Sequence, residues 1–145
     1  MTRTGTSKEV GPGHALNRFR KARAYHETAR LACEHIDRLG DSDPIASNVA
    51  LAAIAYADAI TATYSGLVNQ KDHATAAKLL RNSLGKSLPD SQLRLFVKLV
   101  GAKDEVQYGA RPGRSDAAAG LIKNLDEFAR WTRTVLAARS VSPDE

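Results

Sequence analysis

The stretch PIASNVALAAIAYADAITATYSGLVNQ, residues 44–70, decides the fold, and Asp58 is its only charge. It is rich in alanine and has no internal proline, which predicts a helix. At helical spacing Val49, Ala53, Tyr56, Ile60, Tyr64 and Leu67 share one face, with Thr63 beside them. The opposite face interleaves Leu51, Ile54 and Ala62 with Ser47, Asp58, Thr61, Ser65 and Asn69. Apolar groups nearly all round predict burial on more than one side. Asp43-Pro44 is a start signal, with proline at the first helical position. At 1.5 Å per residue the run would span roughly 39 Å and set the length of a bundle. Asp58 near its middle, with Ser, Thr and Asn around it, makes bilayer insertion costly, so the run reads as a core helix and not a membrane span.

Working outward, residues 1–13 are a polar, glycine-containing leader with the composition of a disordered segment. From His14 to about Leu39 a helical stripe collects Leu16, Phe19, Ala22, His26, Ala29, Cys33 and Ile36, with Arg20, Lys21 and Arg38 off it and Gly40 as a stop. His26 and Cys33 lie seven residues apart on that apolar stripe with no third ligand, the pattern of a core histidine and an inert thiol. Asp72 predicts the N-cap of a short helix over His73–Leu84, with Ala76, Leu80 and Leu84 inward and Gly85 closing it. A fourth helix begins near Pro89 with a stripe of Leu93, Phe96, Val97 and Val100. Ser115 caps a last helix running to about Arg139, its stripe Ala118, Leu121, Leu125, Phe128, Thr132 and Val135, with Trp131 at the edge. Lys123, Asp126, Glu127, Arg130 and Arg133 are expected to cover its outside. No period-2 run or hairpin turn appears, so strands are not expected. The expectation is an all-α, five-helix up-and-down bundle over residues 14–139, one domain, followed by a disordered tail over 140–145.

One cysteine excludes an internal disulfide framework and multi-cysteine zinc patterns. No secretory signal pattern is present, which points to a cytoplasmic protein. A net charge of +5 favours anionic partners. There is no Walker loop and no HExxH, and no cofactor or metal is implied.

The fourth helix changes character along its length. Its inward face reaches Asp104, Gln107 and Tyr108, with Lys103 at the edge, and Arg111 and Arg114 follow in the loop GARPGRS. A face that turns from apolar to polar either ends in solvent or lines a site. Asp58, a lone carboxylate in a buried helix, needs a cation, and Lys103 is the expected partner.

The run KDEVQYGARPGRSDAAAGLIKNLDEFARWT, preceded by ASNVALAAIAYADAITATY and KDHATAAKLL, resembles the HEPN superfamily over roughly residues 15 to 138. That resemblance implies a small all-α domain of the kind found in prokaryotic toxin–antitoxin and defence systems. It also implies a homodimer, an RNA or nucleotide ligand, and a nucleotidyltransferase as partner protein. Ribonuclease members carry an Arg, a polar residue and, four to six positions after the Arg, a His. Here Lys103, Asp104 and Tyr108 stand at those positions. Tyrosine, with a pKa near 10, is a poor general base at neutral pH. Lysine keeps the charge of arginine but not its bidentate grip on phosphate. The resemblance therefore implies an anion-binding pocket from Asp58, Lys103, Asp104, Gln107, Tyr108, Arg111 and Arg114 in a non-catalytic domain. A divergent metal-independent endoribonuclease using Lys103, Asp104 and Tyr108, and a structural protein-interaction module, are the two alternatives.

Overall fold

The structure, a computed structural model, describes residues 7–36, 43–70, 72–108 and 115–142, and of residues 73, 103–108 and 115–116 the backbone alone. Five helices carry it: α1 (His14–Glu34), α2 (Asp43–Ser65), α3 (His73–Leu84), α4 (Asp90–Tyr108) and α5 (Ser115–Ala137). The fold is predominantly helical, as the sequence predicts. The nearly charge-free run is its axis. Ile45, Ala46, Val49, Ala53, Tyr56 and Ile60 of α2 are all fully buried, and α1, α3, α4 and α5 each pack against it. By length and composition α2 could cross a bilayer, with a mean hydropathy of 1.5, but 72% of that stretch lies inside the fold. It is the core of the bundle.

Two corrections concern its C-terminal end. The helix stops at Ser65, giving a length of about 34 Å at 1.5 Å per residue. Gly66, with φ +68°, turns the chain out of the helix in a conformation that costs glycine little. Leu67–Asn69 then form a strand, β2, pairing antiparallel with β1, Ser7–Glu9, in the register Ser7↔Asn69, Lys8↔Val68, Glu9↔Leu67. The expectation of no strand thus fails for one small sheet, and residues 7–13 of the expected leader belong to the fold. Three-residue strands are too short for alternation to register as a pattern.

Elsewhere local chemistry sets the boundaries. The Asp72 side chain accepts from the Thr75 amide at 2.9 Å, and Thr75 Oγ1 accepts from the Asp72 amide at 3.1 Å, a complete capping box on α3. At the other end of the chain, α5 closes in a Schellman motif. The amides of Val141 and Ser140 donate to the carbonyls of Leu136 and Ala137 at 3.0 and 2.9 Å, and Ser140 is left-handed at φ 60°. Val141 packs against the core, so Ser140 and Val141, the first two residues of the expected tail, belong to the fold. A β-carbon is strained at Ser140, and Ser140→Gly is expected to stabilise by about 0.5–1 kcal/mol. Chemical denaturation should show a higher midpoint at unchanged slope.

The predicted core stripes hold with one exchange. Phe19, Ala22, His26 and Ala29 of α1, Ala76, Leu80 and Leu84 of α3, and Ala118, Leu125, Phe128 and Thr132 of α5 are buried. On α4, however, Leu99 faces inward and Val97 is 51% exposed. Phe96, Phe128 and Trp131 form a row of rings at 5.7 and 5.6 Å that joins α4 to α5. Tyr64 of α2 donates its hydroxyl to the Val135 carbonyl at 2.7 Å, and the Arg139 guanidinium stacks on its ring at 4.2 Å. Those contacts fix α5 along α2.

Candidate functional site

Asp58 is buried, as expected, and among the described residues its cation is Arg18; the side chain of Lys103, the expected partner, lies outside them. Arg18 of α1 reaches it with a guanidinium nitrogen 3.0 Å from Oδ2. The main-chain amide of Asn69 in β2 also donates to its carboxylate. One carboxylate therefore joins α2, α1 and the small sheet. The pair is imperfect: Arg18 Nε is buried with no hydrogen-bond partner among the described residues. Burial pushes the Asp58 carboxyl up to about 6, while Arg18 and the Asn69 amide pull the other way without winning. Such a group organises packing; it offers no open face to a ligand.

The other sequence candidates fall differently. Lys103, Asp104, Gln107 and Tyr108 lie on the last turns of α4, whose backbone stays helical through Tyr108, but their side chains lie outside the described residues. Arg111 and Arg114 also lie outside the described residues. Among the candidates, then, only Asp58 has described partners. Among the described residues no group of three His, Cys, Asp or Glu side chains could hold a metal ion.

The most developed site lies elsewhere, between α1, α2 and α5. A cleft of about 330 Å³ is lined by Arg23, His26, Glu27 and Arg30 of α1, Tyr56 of α2, and Asp126, Ala129, Arg130 and Arg133 of α5. At its base a chain of hydrogen bonds crosses all three helices. His26 Nδ1 is 2.8 Å from the Tyr56 hydroxyl and Nε2 is 2.6 Å from Asp126 Oδ1. The chemistry of the partners assigns the tautomer. Asp126 as a carboxylate can only accept, so Nε2 carries the proton; Nδ1 is then the acceptor and Tyr56 donates to it. Arg30 approaches the same Asp126 oxygen at 3.4 Å and Glu27 Oε2 at 3.4 Å.

Burial lowers the His26 pKa below 6.5, and Arg30 and Arg133 add to this against the opposing pull of Asp126. The imidazole is neutral at pH 7. Burial pushes the Tyr56 phenol up to about 12, tempered by Arg133 and Arg23, so it remains a donor. Tyr56 has no exposed surface, and both ring nitrogens of His26 are engaged. The network thus holds His26 and Tyr56 in place and leaves no free base for proton transfer. Among the described residues, four arginines and two carboxylates line the cleft. Arg133 also lies 5.3 Å from the Phe19 ring centroid and Arg23 5.9 Å, and these contacts orient both side chains along the wall.

This site was missed for identifiable reasons. His26 read as a core histidine, and it is indeed buried, but with polar partners. Asp126, Arg130 and Arg133 read as the outside of α5, whereas they line the cleft. The signal was in the spacing: 126, 130 and 133 share one face of α5, as 23, 26, 27 and 30 share one face of α1. Cys33 is half-buried, and burial together with Glu34 raises its thiol pKa, which keeps it protonated at neutral pH.

No family model matches the chain, and no curated protein matches it.

Proposed function

We propose that this chain is a HEPN-like, non-catalytic domain whose arginine-lined cleft binds a phosphate-bearing ligand, RNA or a nucleotide, in a cytoplasmic defence or toxin–antitoxin setting. The observation that carries the reading is the cleft itself: Arg23, Arg30, Arg130 and Arg133 line it, with Glu27 and Asp126 the only carboxylates in its lining among the described residues. Guanidinium groups bind phosphate oxygens through paired N–H donors, and a walled cleft keeps their field from being screened as it is on an open surface. The five-helix layout and the helix texture over residues 15–138 support the family reading. Tyr108 at the position of the family's histidine, and the engagement of both His26 nitrogens, support binding without cleavage. Pairing of two copies and a nucleotidyltransferase partner belong to the same proposal. Light scattering that gave a monomer near 15.6 kDa at micromolar concentration would remove the first.

Fluorescence anisotropy with a 5′-phosphorylated RNA oligonucleotide tests the reading. Affinity should fall steeply between about 50 and 200 mM salt. Arg130→Ala should weaken binding by about tenfold and reduce the logarithmic salt slope by about 0.7, the contribution of one phosphate contact on a single strand. Binding by Arg130→Ala equal to that of the unmodified protein would exclude the cleft as the site. Lys103→Ala in the same titration separates the cleft from the polar end of α4. Metal-independent cleavage that vanished in Tyr108→Phe would favour the divergent ribonuclease instead.

A further inference from the structure

We propose that Asp126 is a displaceable stand-in for the ligand, occupying the place of a phosphate group, and that the group which displaces it is a phosphate monoester. This rests on the phosphate-binding reading of the cleft and goes one step beyond it, to the class of phosphate and the part Asp126 plays in admitting it.

The geometry points there through an asymmetry between His26 and Asp126. The His26 side chain is 9% exposed and is held from behind by the Tyr56 hydroxyl through Nδ1. Its Nε2–H therefore points at a fixed place. The Asp126 side chain that meets it is 38% exposed, on the opposite wall. One oxygen of Asp126 accepts from His26 at 2.6 Å and from Arg30 at 3.4 Å, so a single acceptor serves two donors that arrive from α1. Among the described residues these are its only side-chain partners. Arg30 is itself 45% exposed and shared with Glu27. The donors are thus preset, and the acceptor is the more exposed partner of the pair, on a rotatable side chain. Arg130 of α5 lines the same cleft as these two donors.

Charge and acceptor number then select the ligand. Exchanging Asp126 for an internal phosphodiester swaps one unit of negative charge for another. A phosphate monoester carries about −1.5 to −2 charge at pH 7 and three terminal acceptor oxygens. It can satisfy His26 and Arg30 together and still present an oxygen to Arg130. Only the monoester gains by the exchange. A mononucleotide and the 5′-phosphorylated end of an RNA both supply that group.

The test titrates adenosine 5′-monophosphate, 5′-phosphorylated RNA and the same RNA with a 5′-hydroxyl into the unmodified protein, Asp126→Asn and Glu127→Gln. Asparagine keeps an oxygen for the His26 Nε2–H while removing the charge, so its thermal midpoint serves as a check on folding. Glu127 is exposed on α5 and is not part of the cleft lining, so its replacement controls for net charge alone. Asp126→Asn should bind the monoester probes about tenfold more tightly, Glu127→Gln should stay within about twofold, and the 5′-hydroxyl RNA should bind least. Adenosine monophosphate as tight as the phosphorylated RNA identifies a nucleotide as the source; a clear preference for the RNA identifies its end. Unchanged or weaker binding by Asp126→Asn would overturn the proposal, as would an equal gain in both variants or equal binding of the two RNAs. If Asp126→Asn does not respond while Arg130→Ala still loses affinity, the cleft stands and only the displacement falls.

Discussion

Arg18→Ala is expected to destabilise the fold by about 2 kcal/mol at about pH 7.5 and by less than about 0.5 kcal/mol at about pH 5. Breaking a buried ion pair leaves a carboxylate without its cation, and the remaining Asn69 amide cannot replace it. The pH dependence follows from the second route open to Asp58, which is to take up a proton. Its folded pKa is raised to about 6 from an ordinary 3.8, so between these values the folded state binds more protons than the unfolded one. Its contribution to stability is fully present below the unfolded pKa and is lost as pH rises through about 6. Without Arg18 the folded pKa climbs further. The penalty is then capped by the cost of keeping the carboxyl neutral, about 1.4 kcal/mol for each pH unit above its unfolded value. That cap is about 5 kcal/mol at about pH 7.5 and under 2 kcal/mol at about pH 5. The unmodified protein, with its carboxyl at about 6, already carries about 3 kcal/mol of the first and nearly all of the second. The loss of Arg18 therefore adds about 2 kcal/mol at the higher pH and almost nothing at the lower. Urea unfolding at the two pH values measures both numbers. The double variant Arg18→Ala/Asp58→Asn should recover most of the loss near neutral pH, because no charge is then left buried. An equal loss at both pH values would mean that Arg18 acts through the packing of its aliphatic stem, and the electrostatic account would fail.

Arg18 also marks the boundary of what could be read from the sequence. The central helix was legible because burial on several sides forbids charge, and a run with one carboxylate stands out in any chain. The α3 cap was legible because Asp72 and Thr75 act within four residues. Asp58 was legible as a group in need of a cation. Its partner was not, because Arg18 lies forty residues away on a helix with several other cations, and only the docking of α1 on α2 decides among them. The small sheet was illegible for a related reason. Three residues do not make a pattern, and β1 is stable through Gly66, β2 and the Asp58–Asn69 contact, all remote from it in sequence. The cleft combines both difficulties. Its members lie 30 and 100 positions apart along the hydrogen-bonded chain, and an amphipathic helix face looks the same whether it meets bulk water or a second polar face.

Phe128→Ala tests the dependence of that cleft on the core beneath it. Phe128 has no exposed surface and sits between Phe96 at 5.7 Å and Trp131 at 5.6 Å, the middle of the row that joins α4 to α5. Removing the ring deletes two aromatic contacts and leaves a cavity that a helix pinned at Leu125 and Leu136 cannot easily collapse. The expected loss is about 3–5 kcal/mol, which for a chain of this size lowers the thermal midpoint by roughly 10 to 15 °C. Phe128→Leu, which fills most of the space, should lose about 1.5 kcal/mol or less. The consequence for binding follows from position. Asp126 and Arg130 flank Phe128 on α5, and they line the cleft beside α1 only if that part of the helix keeps its seat. Affinity for a phosphate monoester should therefore fall in Phe128→Ala although no group in the cleft has been altered. The coupling runs in both directions, because a ligand that binds only the seated helix stabilises it. At about a hundredfold excess over its dissociation constant it returns about 2.7 kcal/mol, most of what the cavity removes. Calorimetry of the variant with and without adenosine monophosphate reads both effects. A loss below about 1 kcal/mol would mean that α5 does not rest on Phe128, and the wall of the cleft would have to be placed elsewhere.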